Sequence, residues 1–360
     1  MERFSCKTQI VSGPGAVAYL AELGAKRLFL VTDPFFQKNG TAARIAAAAQ
    51  AQAVEIFDGV MPDPSVALAA EGTARVKKFA PDLIVALGGG SAMDCAKAMA
   101  YFAQTGAKLA AIPTTSGSGS EVTDFAILTH DRVKHPLVDE SLLPDVAVLD
   151  SDLLAELPAS LIADAGFDVL SHAAESYVAK NSGAITQALA ADAFCRAYHQ
   201  LTASFTGNKQ VRSSIHVAAT MAGMAFSQAG LGLCHAMAHS IGGRFHIPHG
   251  RLNAILLPAV IMSNAGTAQA QYAQLARAAG LGGSADAIAL RNLKNGLVRL
   301  RKELNLPATL AEAGVKPAEV RKAAPEIVEA ALKDPCCDTN PSAADAITVR
   351  RILEEVTGRV

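Results

Sequence analysis

Residues 227–253 read SQAGLGLCHAMAHSIGGRFHIPHGRLN. The stretch contains four of the nine histidines of this 360-residue chain, among small and apolar neighbours. His235 and His239 lie four residues apart, so they share one face of a helix. We expect Gly242–Gly243 to break that helix and the chain to return at His249. Because neutral imidazole is the commonest protein ligand for a catalytic divalent metal, the stretch is a candidate metal site.

A second motif supplies a carboxylate and another imidazole. Asp168 and His172 lie four apart within an apolar helical pattern, and a buried carboxylate needs a partner such as a metal. The zinc-protease motif is excluded, because Ala236 stands where that motif has Glu. A core helix with hydrogen-bonded histidines is the competing explanation. The predicted ligand set is Asp168, His172, His235 and His249.

Composition indicates a well-buried globular protein. Apolar residues make up 51% of the chain, charged residues 18%, and the net charge is −1. These values argue against a nucleic-acid surface and a disordered tail, and low charge fits a homo-oligomer. No apolar run is long enough to span a bilayer, and residues 1–6 lack a signal core. The six irregularly spaced cysteines indicate reduced thiols, hence a cytoplasmic location.

The chain divides into two regions with different secondary-structure patterns. Residues 1–158 alternate strand and helix patterns, which predicts an α/β domain with a mostly parallel sheet and helices on both faces. Residues 159–360 carry long helical patterns, which predict a helical metal-binding domain. Ser342 and Asp345 resemble a capping box for the last helix. The predicted strands span residues 27–33, 54–57, 82–87, 109–112, 125–128 and 146–149.

The strand at 82–87 runs directly into Gly88, Gly89, Gly90 and Ser91, after which a helix begins. Glycines allow close backbone approach and a helix N-terminus favours anions, so the turn predicts a phosphate cradle. It matches neither the G-x-G-x-x-G pattern nor the Walker loop, so the phosphate ligand is not specified and a plain tight turn stays possible.

Two further groups fall at the carboxyl ends of predicted strands, where α/β proteins bind ligands. Thr114 and Thr115 begin a hydroxyl-rich loop that runs to Ser120. Asp33 is placed to bind a ribose diol and to repel a 2′-phosphate, which favours NAD over NADP; a solvated turn acid is the alternative. A cofactor in the first domain and a metal in the second predict a catalytic cleft between them.

Four motifs together resemble the iron-containing (group III) alcohol dehydrogenase family over nearly the whole chain. They span residues 88–97, 112–123, 168–172 and 227–253. Within the family, residues 224–233 and 245–249 look most similar to the propanol dehydrogenases of bacterial microcompartments. The resemblance implies a dehydroquinate synthase-like fold, with an α/β N-terminal Rossmann-like domain and an all-α C-terminal domain.

The resemblance also implies roles for individual residues. It makes Asp168, His172, His235 and His249 the ligands of Fe2+, although Zn2+ would bind such a set at least as tightly. It places His239 near the nicotinamide in proton transfer, and it implies a substrate pocket of Phe125, Phe226 and Leu231. The implied NAD(H) contacts are Asp33, Asp63, Gly88, Gly89, Gly90, Ser91, Asp94, Thr114, Thr115, Ser118 and Lys134.

The implied activity is NAD(H)-linked interconversion of short primary alcohols and aldehydes, such as propanal or ethanal. A lactaldehyde or diol oxidoreductase, an NAD- and zinc-using lyase or synthase of the dehydroquinate synthase group, and a non-enzymatic protein are the alternatives. The expected partners are a small-molecule substrate and further copies of the chain, as a homodimer or larger oligomer. Association with a microcompartment shell or lumen is a hypothesis, and Glu2–Ile10 does not resemble an amphipathic targeting helix.

Overall fold

The computed structural model describes residues 4–131 and 133–358, so the expectation for the N-terminal segment falls partly outside the described range. The chain forms two compact units, one spanning Ser5–Leu157 and the other beginning at Pro158. Each unit has its own secondary-structure class, as the sequence predicts.

A six-stranded parallel sheet forms the centre of the first unit. Its strands are β1 (Gln9–Ser12), β2 (Arg27–Val31), β3 (Ala53–Phe57), β4 (Leu83–Gly88), β5 (Lys108–Pro113) and β8 (Val146–Leu149). They lie in the order β1-β8-β5-β4-β2-β3. Apolar runs form the middle strands, and all six residues of β4 are buried, as expected for a strand covered on both faces.

Helices cover both faces of this sheet. Successive side chains of a strand point to opposite faces, and in the middle strands both sets are apolar, so each face packs against its own apolar core. Leu28 and Leu30 of β2 pack in one apolar core with Ile45, whereas Phe29 and Val31 pack in another. The helices are α1 (Pro34–Lys38), α2 (Thr41–Ala48), α3 (Val66–Phe79) and α4 (Gly90–Ala103). The predicted Rossmann-like architecture is therefore confirmed.

One predicted strand does not join the main sheet. β6 (Phe125–His130) pairs antiparallel with β7 (Val133–Val138) in a separate hairpin. The connection between them is far too short for a parallel crossover, which needs a dozen residues or more. The sequence analysis missed β7, because its alternating pattern lies in a polar stretch that resembles a loop.

The second unit is helical, and no strand occurs among its described residues up to 358. Asp345 alone caps the last helix by accepting from Thr348 N, so the predicted capping box from Ser342 is wrong. The helices are α5 (Ala159–Val178), α6 (Ala184–Phe205), α7 (Arg212–Ala229), α8 (Leu233–Phe245), α9 (His249–Ser263), α10 (Ala265–Ala278), α11 (Asp286–Glu303), α12 (Pro317–Lys333), α13 (Cys336–Thr339) and α14 (Ala346–Thr357).

The glycine pair of α8 does not break the helix. Gly242–Gly243 lies inside α8, which ends at Phe245, with His246 in the left-handed conformation (φ 55°) as its C-cap. Two helical glycines cost about 2 kcal/mol, and burial of the apolar face that includes Met237 and Ile241 outweighs that cost. Ligand candidate His249 then opens α9.

Among the described residues, no single helix has the length and apolarity to cross a membrane. One pair, Lys209–Ala229 with Leu233–Phe245, meets the criterion jointly by length and composition, with a bend of 102° between its members.

Candidate metal centre and cofactor cradle

The cradle lies at the carboxyl ends of β2, β4 and β5, which are neighbours in the sheet. β3 lies on one side of β2, whereas β4 and β5 lie on the other side. The direction in which successive strands are added to the sheet therefore reverses between β2 and β4. Such a switch point is where open α/β sheets bind ligands. Asp33 follows β2, and Gly88 ends β4.

Glycines line the cradle because a larger residue would fill it. Gly88 has a φ of +154°, and a Cβ there would lie 2.6 Å from Ala92 Cβ. A Cβ on Gly89 would come 3.4 Å from Thr115 Oγ1, and one on Gly90 would come 3.4 Å from Ser118 Cβ. The fold therefore brings these glycines together with the hydroxyl-rich loop at the N-terminus of α4, a geometry suited to a phosphate group.

The remaining cofactor candidates pair with other protein groups. Asp63 forms an exposed salt bridge of 2.7 Å with Lys134. Asp94 Oδ1 accepts from Ser120 Oγ at 3.2 Å. Burial raises the pKa of Asp94 to about 6, against the opposing effect of Lys97. One oxygen of Asp94 is thus engaged inside the protein. Ser91 is half-buried in the first turn of α4, and Thr114 is buried beside β4, where its N–H donates to Gly88 O.

In the helical unit, three imidazoles surround one carboxylate oxygen. The Nε2 atoms of His249, His235 and His172 lie 3.5, 3.8 and 3.9 Å from Asp168 Oδ1. The ligand atoms of Asp168, His235 and His249 all fall within 4.8 Å of one another, and His172 joins this set through Asp168. α5 supplies Asp168 and His172, α8 supplies His235, and α9 supplies His249.

These four residues fit a divalent metal. A tetrahedral ion with bonds of about 2.0–2.1 Å separates its ligands by about 3.4 Å, close to the distances that surround Asp168 Oδ1. Three ring nitrogens and one carboxylate suit iron or zinc. The fold brings the four predicted ligand candidates together, from α5 and from the consecutive helices α8 and α9, and their role as ligands stays a prediction.

The charges of the cluster are mutually dependent. Burial opposes ionisation of Asp168, but the imidazoles of His172 and His249 and the hydrogen bond with His235 hold its pKa well below the usual range. Burial alone would lower the pKa of His235, yet its hydrogen bonds to Asp168 and Glu175 raise it to about 9. Desolvation keeps the pKa of His249 well below its ordinary value. The cluster thus pairs an ionised carboxylate with at least one neutral imidazole.

Contacts that the sequence analysis missed hold α9 against α5. Arg251 Nε and Nη2 donate to the two carboxylate oxygens of Asp164 at 3.1 and 3.0 Å, a bidentate pair. Asn253 Nδ2 donates to Asp168 Oδ1 at 2.8 Å. Asn253 lies four residues after His249, so helical spacing alone places it on the same face.

His239 lies next to the ligand cluster without joining it. Its ring stacks on the ring of His249, with centroids 5.2 Å apart and planes 14° apart. His239 Nδ1 lies 2.8 Å from Asp334 Oδ2. Burial disfavours the Asp334 carboxylate, but hydrogen bonds from His239 and from the Cys336 backbone N–H lower its pKa to about 2. The ionised Asp334 accepts a hydrogen bond from Nδ1–H, so the lone pair of the neutral His239 ring lies on Nε2.

Two of the three pocket candidates lie in the helical unit. Phe226 is buried, and its ring stacks on His172 with a centroid distance of 4.4 Å. Leu231 is half-buried, and its carbonyl accepts from Thr339 Oγ1 at 2.7 Å. Phe125 opens β6 in the α/β unit, where its carbonyl accepts from Lys97 Nζ at 2.9 Å.

The α/β unit carries a glycine-lined cradle and the helical unit carries three imidazoles around one carboxylate oxygen, an arrangement that matches the dehydrogenase class implied by the sequence motifs. The chain belongs to the iron-containing alcohol dehydrogenase family. Residues 7–151 match the iron-containing alcohol dehydrogenase model, and residues 162–357 match the model of the C-terminal part of the Fe-containing alcohol dehydrogenase family. The protein is therefore an oxidoreductase of the alcohol dehydrogenase type.

Similar proteins span the whole chain. A 1-propanol dehydrogenase of Salmonella typhimurium is 37% identical, covering 99% of this chain and 100% of that protein. An NADPH-dependent butanol dehydrogenase of Clostridium saccharobutylicum is also 37% identical, covering 98% and 97%. The solved structure of a 1,3-propanediol oxidoreductase superposes with a TM-score of 0.93 at 32% identity, covering 99% and 100%. The resemblance inferred from the motifs is confirmed.

Proposed function

We propose that this protein is a metal-dependent, NAD(H)-linked alcohol dehydrogenase that reduces short aldehydes such as propanal or ethanal to primary alcohols. The observation that carries the proposal is the convergence of His172, His235 and His249 on one oxygen of Asp168. Relatives named for propanol, butanol and propanediol support a short, uncharged substrate.

The metal-ligand candidates and the cofactor cradle would supply different parts of the reaction. A ferrous or zinc ion at the four ligands would supply a Lewis acid for the substrate oxygen, and NAD(H) would exchange the hydride. Asp168 offsets part of the cation's charge, and Asn253 holds that carboxylate by donating to it. The buried Phe226 ring against His172 keeps water from that side of the cluster and favours an apolar substrate chain. We propose Leu231 and Phe125 as further lining residues.

His239 is the proposed proton-handling group. The ionised Asp334 fixes the proton on Nδ1, so Nε2 is the atom that accepts a proton during alcohol oxidation and returns one during aldehyde reduction. Because His239 is outside the proposed ligand set, its contribution is separable from metal binding.

The Asp334→Asn variant is expected to lower kcat about 10- to 100-fold while its metal content stays that of the wild type. The neutral amide stabilises a proton on Nδ1 less than the carboxylate does, so part of the contribution of general acid–base catalysis, about 10²- to 10⁴-fold, is lost. Asp338→Asn, an exposed acid four residues away, is the matched control and should leave kcat unchanged. Wild-type turnover in Asp334→Asn would contradict the role of the pair; loss of metal would show that its role is structural.

The cofactor preference is expected to depend on the charge of Asp33. Oδ1 of Asp33 caps α1 by accepting from Phe35 N at 2.9 Å and from Phe36 N at 3.2 Å. Oδ2 lies 3.9 Å from the position of a Cβ on Gly88, so it faces the cradle. Asp33→Ser keeps a capping acceptor and removes the charge that repels a 2′-phosphate.

In Asp33→Ser, kcat/KM for NADPH relative to NADH should rise about tenfold or more, since like charges within a few Å cost at least about 1.4 kcal/mol at a protein surface. Asp33→Ala, which loses the cap as well, should show the same shift with lower thermal stability. An unchanged cofactor ratio in Asp33→Ser would refute the proposed ribose contact.

Anaerobic metal reconstitution tests the proposed function. The chelator-stripped protein is supplied with Fe2+ or Zn2+, and NADH oxidation is followed with propanal, ethanal, butanal and lactaldehyde. Turnover with Fe2+ and a preference for unbranched aldehydes supports the proposal; turnover with Zn2+ alone keeps the reaction and changes the metal. Absence of turnover with every aldehyde and both metals would overturn it.

We also propose that the protein works as a homo-oligomer, which its low charge favours, and that it associates with a bacterial microcompartment, a hypothesis that comes from the motif resemblance. Light scattering of the purified protein measures its mass in solution. Co-fractionation with shell proteins tests association, and recovery only in the shell-free fraction would contradict it.

A further inference from the structure

Glu175 is a buried carboxylate on the helix that supplies two of the metal-ligand candidates. It lies on α5, seven residues after Asp168 and three after His172, so all three share one helical face. Only 2% of Glu175 is exposed. Oε2 of Glu175 lies 2.6 Å from Nδ1 of His235, the ligand candidate on α8.

The same carboxylate closes the N-terminus of α8. It accepts backbone N–H groups from Gly232 at 3.1 Å, from Cys234 at 2.7 Å and from His235 at 3.4 Å. The N-cap residue of α8 is Gly232, which has no side chain to accept these hydrogen bonds. A Cβ on Gly232 would lie 2.8 Å from Glu175 Oε1, so glycine is what permits the approach. The N–H groups in the first turn of α8 have no acceptor within the helix, and this end of the helix carries a partial positive charge. Both properties favour an anionic partner such as the Glu175 carboxylate.

These contacts determine which nitrogen of His235 is free. A carboxylate only accepts hydrogen bonds, so Nδ1 must be the donor toward Glu175. In the neutral ring that binds a metal, the lone pair therefore lies on Nε2, which lies 3.8 Å from Asp168 Oδ1 and faces the cluster. Because Glu175 also holds the backbone of His235, it fixes both the tautomer and the position of that ring.

We propose that Glu175 is a positioning residue that sets the metal affinity of the site, through the tautomer and orientation of His235. The inference rests on the proposed metal-dependent function. Partners of this kind, which hydrogen-bond the far nitrogen of a ligand imidazole, typically change metal affinity about 10- to 100-fold.

The test measures metal affinity directly. The Kd for Zn2+ and Co2+ is determined by chelator competition on full-length wild type, Glu175→Gln and Glu175→Asp, with Glu326→Gln as a control at an exposed glutamate of the same unit. We expect the Kd of Glu175→Gln to rise about 10- to 100-fold, because its amide cannot replace all the acceptors. Glu175→Asp should recover part of the affinity, and Glu326→Gln should match the wild type. The Co2+ absorption bands should change in Glu175→Gln and, to a smaller extent, in Glu175→Asp, and should stay those of the wild type in Glu326→Gln.

The outcomes separate this inference from the proposed function. A wild type that binds neither metal tightly overturns the proposed function. A wild type that binds tightly, with Glu175→Gln of equal affinity, overturns the positioning role alone, even where the metal-free melting temperature falls through the lost cap. If Glu175→Gln does not fold, Glu175→Asp decides: wild-type affinity and Co2+ bands in that variant, with its displaced carboxylate, contradict the proposal.

Discussion

The Asp168→Asn variant is expected to lose tight metal binding and with it all measurable aldehyde reduction. Oδ1 of Asp168 is the atom around which the three imidazoles are arranged, and it also accepts from Asn253 Nδ2. Asparagine has nearly the same shape, so the packing of α5 is retained while the negative charge is lost. Since losing a partner of a ligand costs about 10- to 100-fold in affinity, losing the anionic ligand itself should cost at least about 100-fold.

The measurement is metal content after dialysis against a weak chelator, followed by NADH oxidation with propanal. Asp192→Asn is the control: the same substitution on α6 removes a half-exposed carboxylate whose partner is Arg196. Such surface pairs contribute little, so this variant should keep both metal and activity. Full metal content in Asp168→Asn would show that the cluster is a buried polar network and not a metal centre.

Local spacing accounts for the part of the candidate site that the sequence predicts. Asp168 and His172 are four residues apart on one helix, so their shared face follows from helical geometry alone. The same rule would have reached Glu175, at seven residues from Asp168, and Asn253, at four from His249. They were missed because the sequence analysis looked for metal ligands and not for the residues that hydrogen-bond to those ligands.

Other contacts of the candidate site are formed by the tertiary fold, and spacing along the sequence does not predict them. Asp334 follows His239 by 95 residues, and no periodicity links them; only the fold brings the carboxylate to Nδ1. The Asp63–Lys134 pair is likewise assembled by the α/β unit from a loop and a hairpin strand. The prediction that Gly242–Gly243 breaks α8 was wrong, because it relied on local propensity alone. The intrinsic cost of a helical glycine is small, and burial of the helix overrides it.

The Gly250→Ala variant is expected to lower both stability and metal affinity, because one methyl group forces α9 away from α5. Gly250 follows ligand candidate His249, and a Cβ there would lie 1.9 Å from the backbone oxygen of Asp164 and 2.6 Å from its carbonyl carbon. Both obstacles are backbone atoms of a helix, so neither moves as a flexible side chain would. Overpacking of this kind costs about 1–3 kcal/mol or more.

Thermal unfolding should show a melting temperature lower by roughly 2–12 °C, since about 1 kcal/mol shifts a unit of this size by about 2–4 °C. Metal affinity should fall too, because the displacement separates His249 from Asp168 and strains the Arg251–Asp164 pair.

Gly243→Ala provides the matched control, also at a glycine near the ligand stretch. No atom lies within 4 Å of a Cβ on Gly243, and that residue is exposed within α8. Replacing a helical glycine by alanine gains up to about 1 kcal/mol, so this variant should melt at or above the wild-type temperature and bind metal normally. A Gly250→Ala protein with reduced stability but unchanged metal affinity would mean that His249 keeps its place independently of the contact between α9 and α5. The close approach at Gly250 would then serve packing alone.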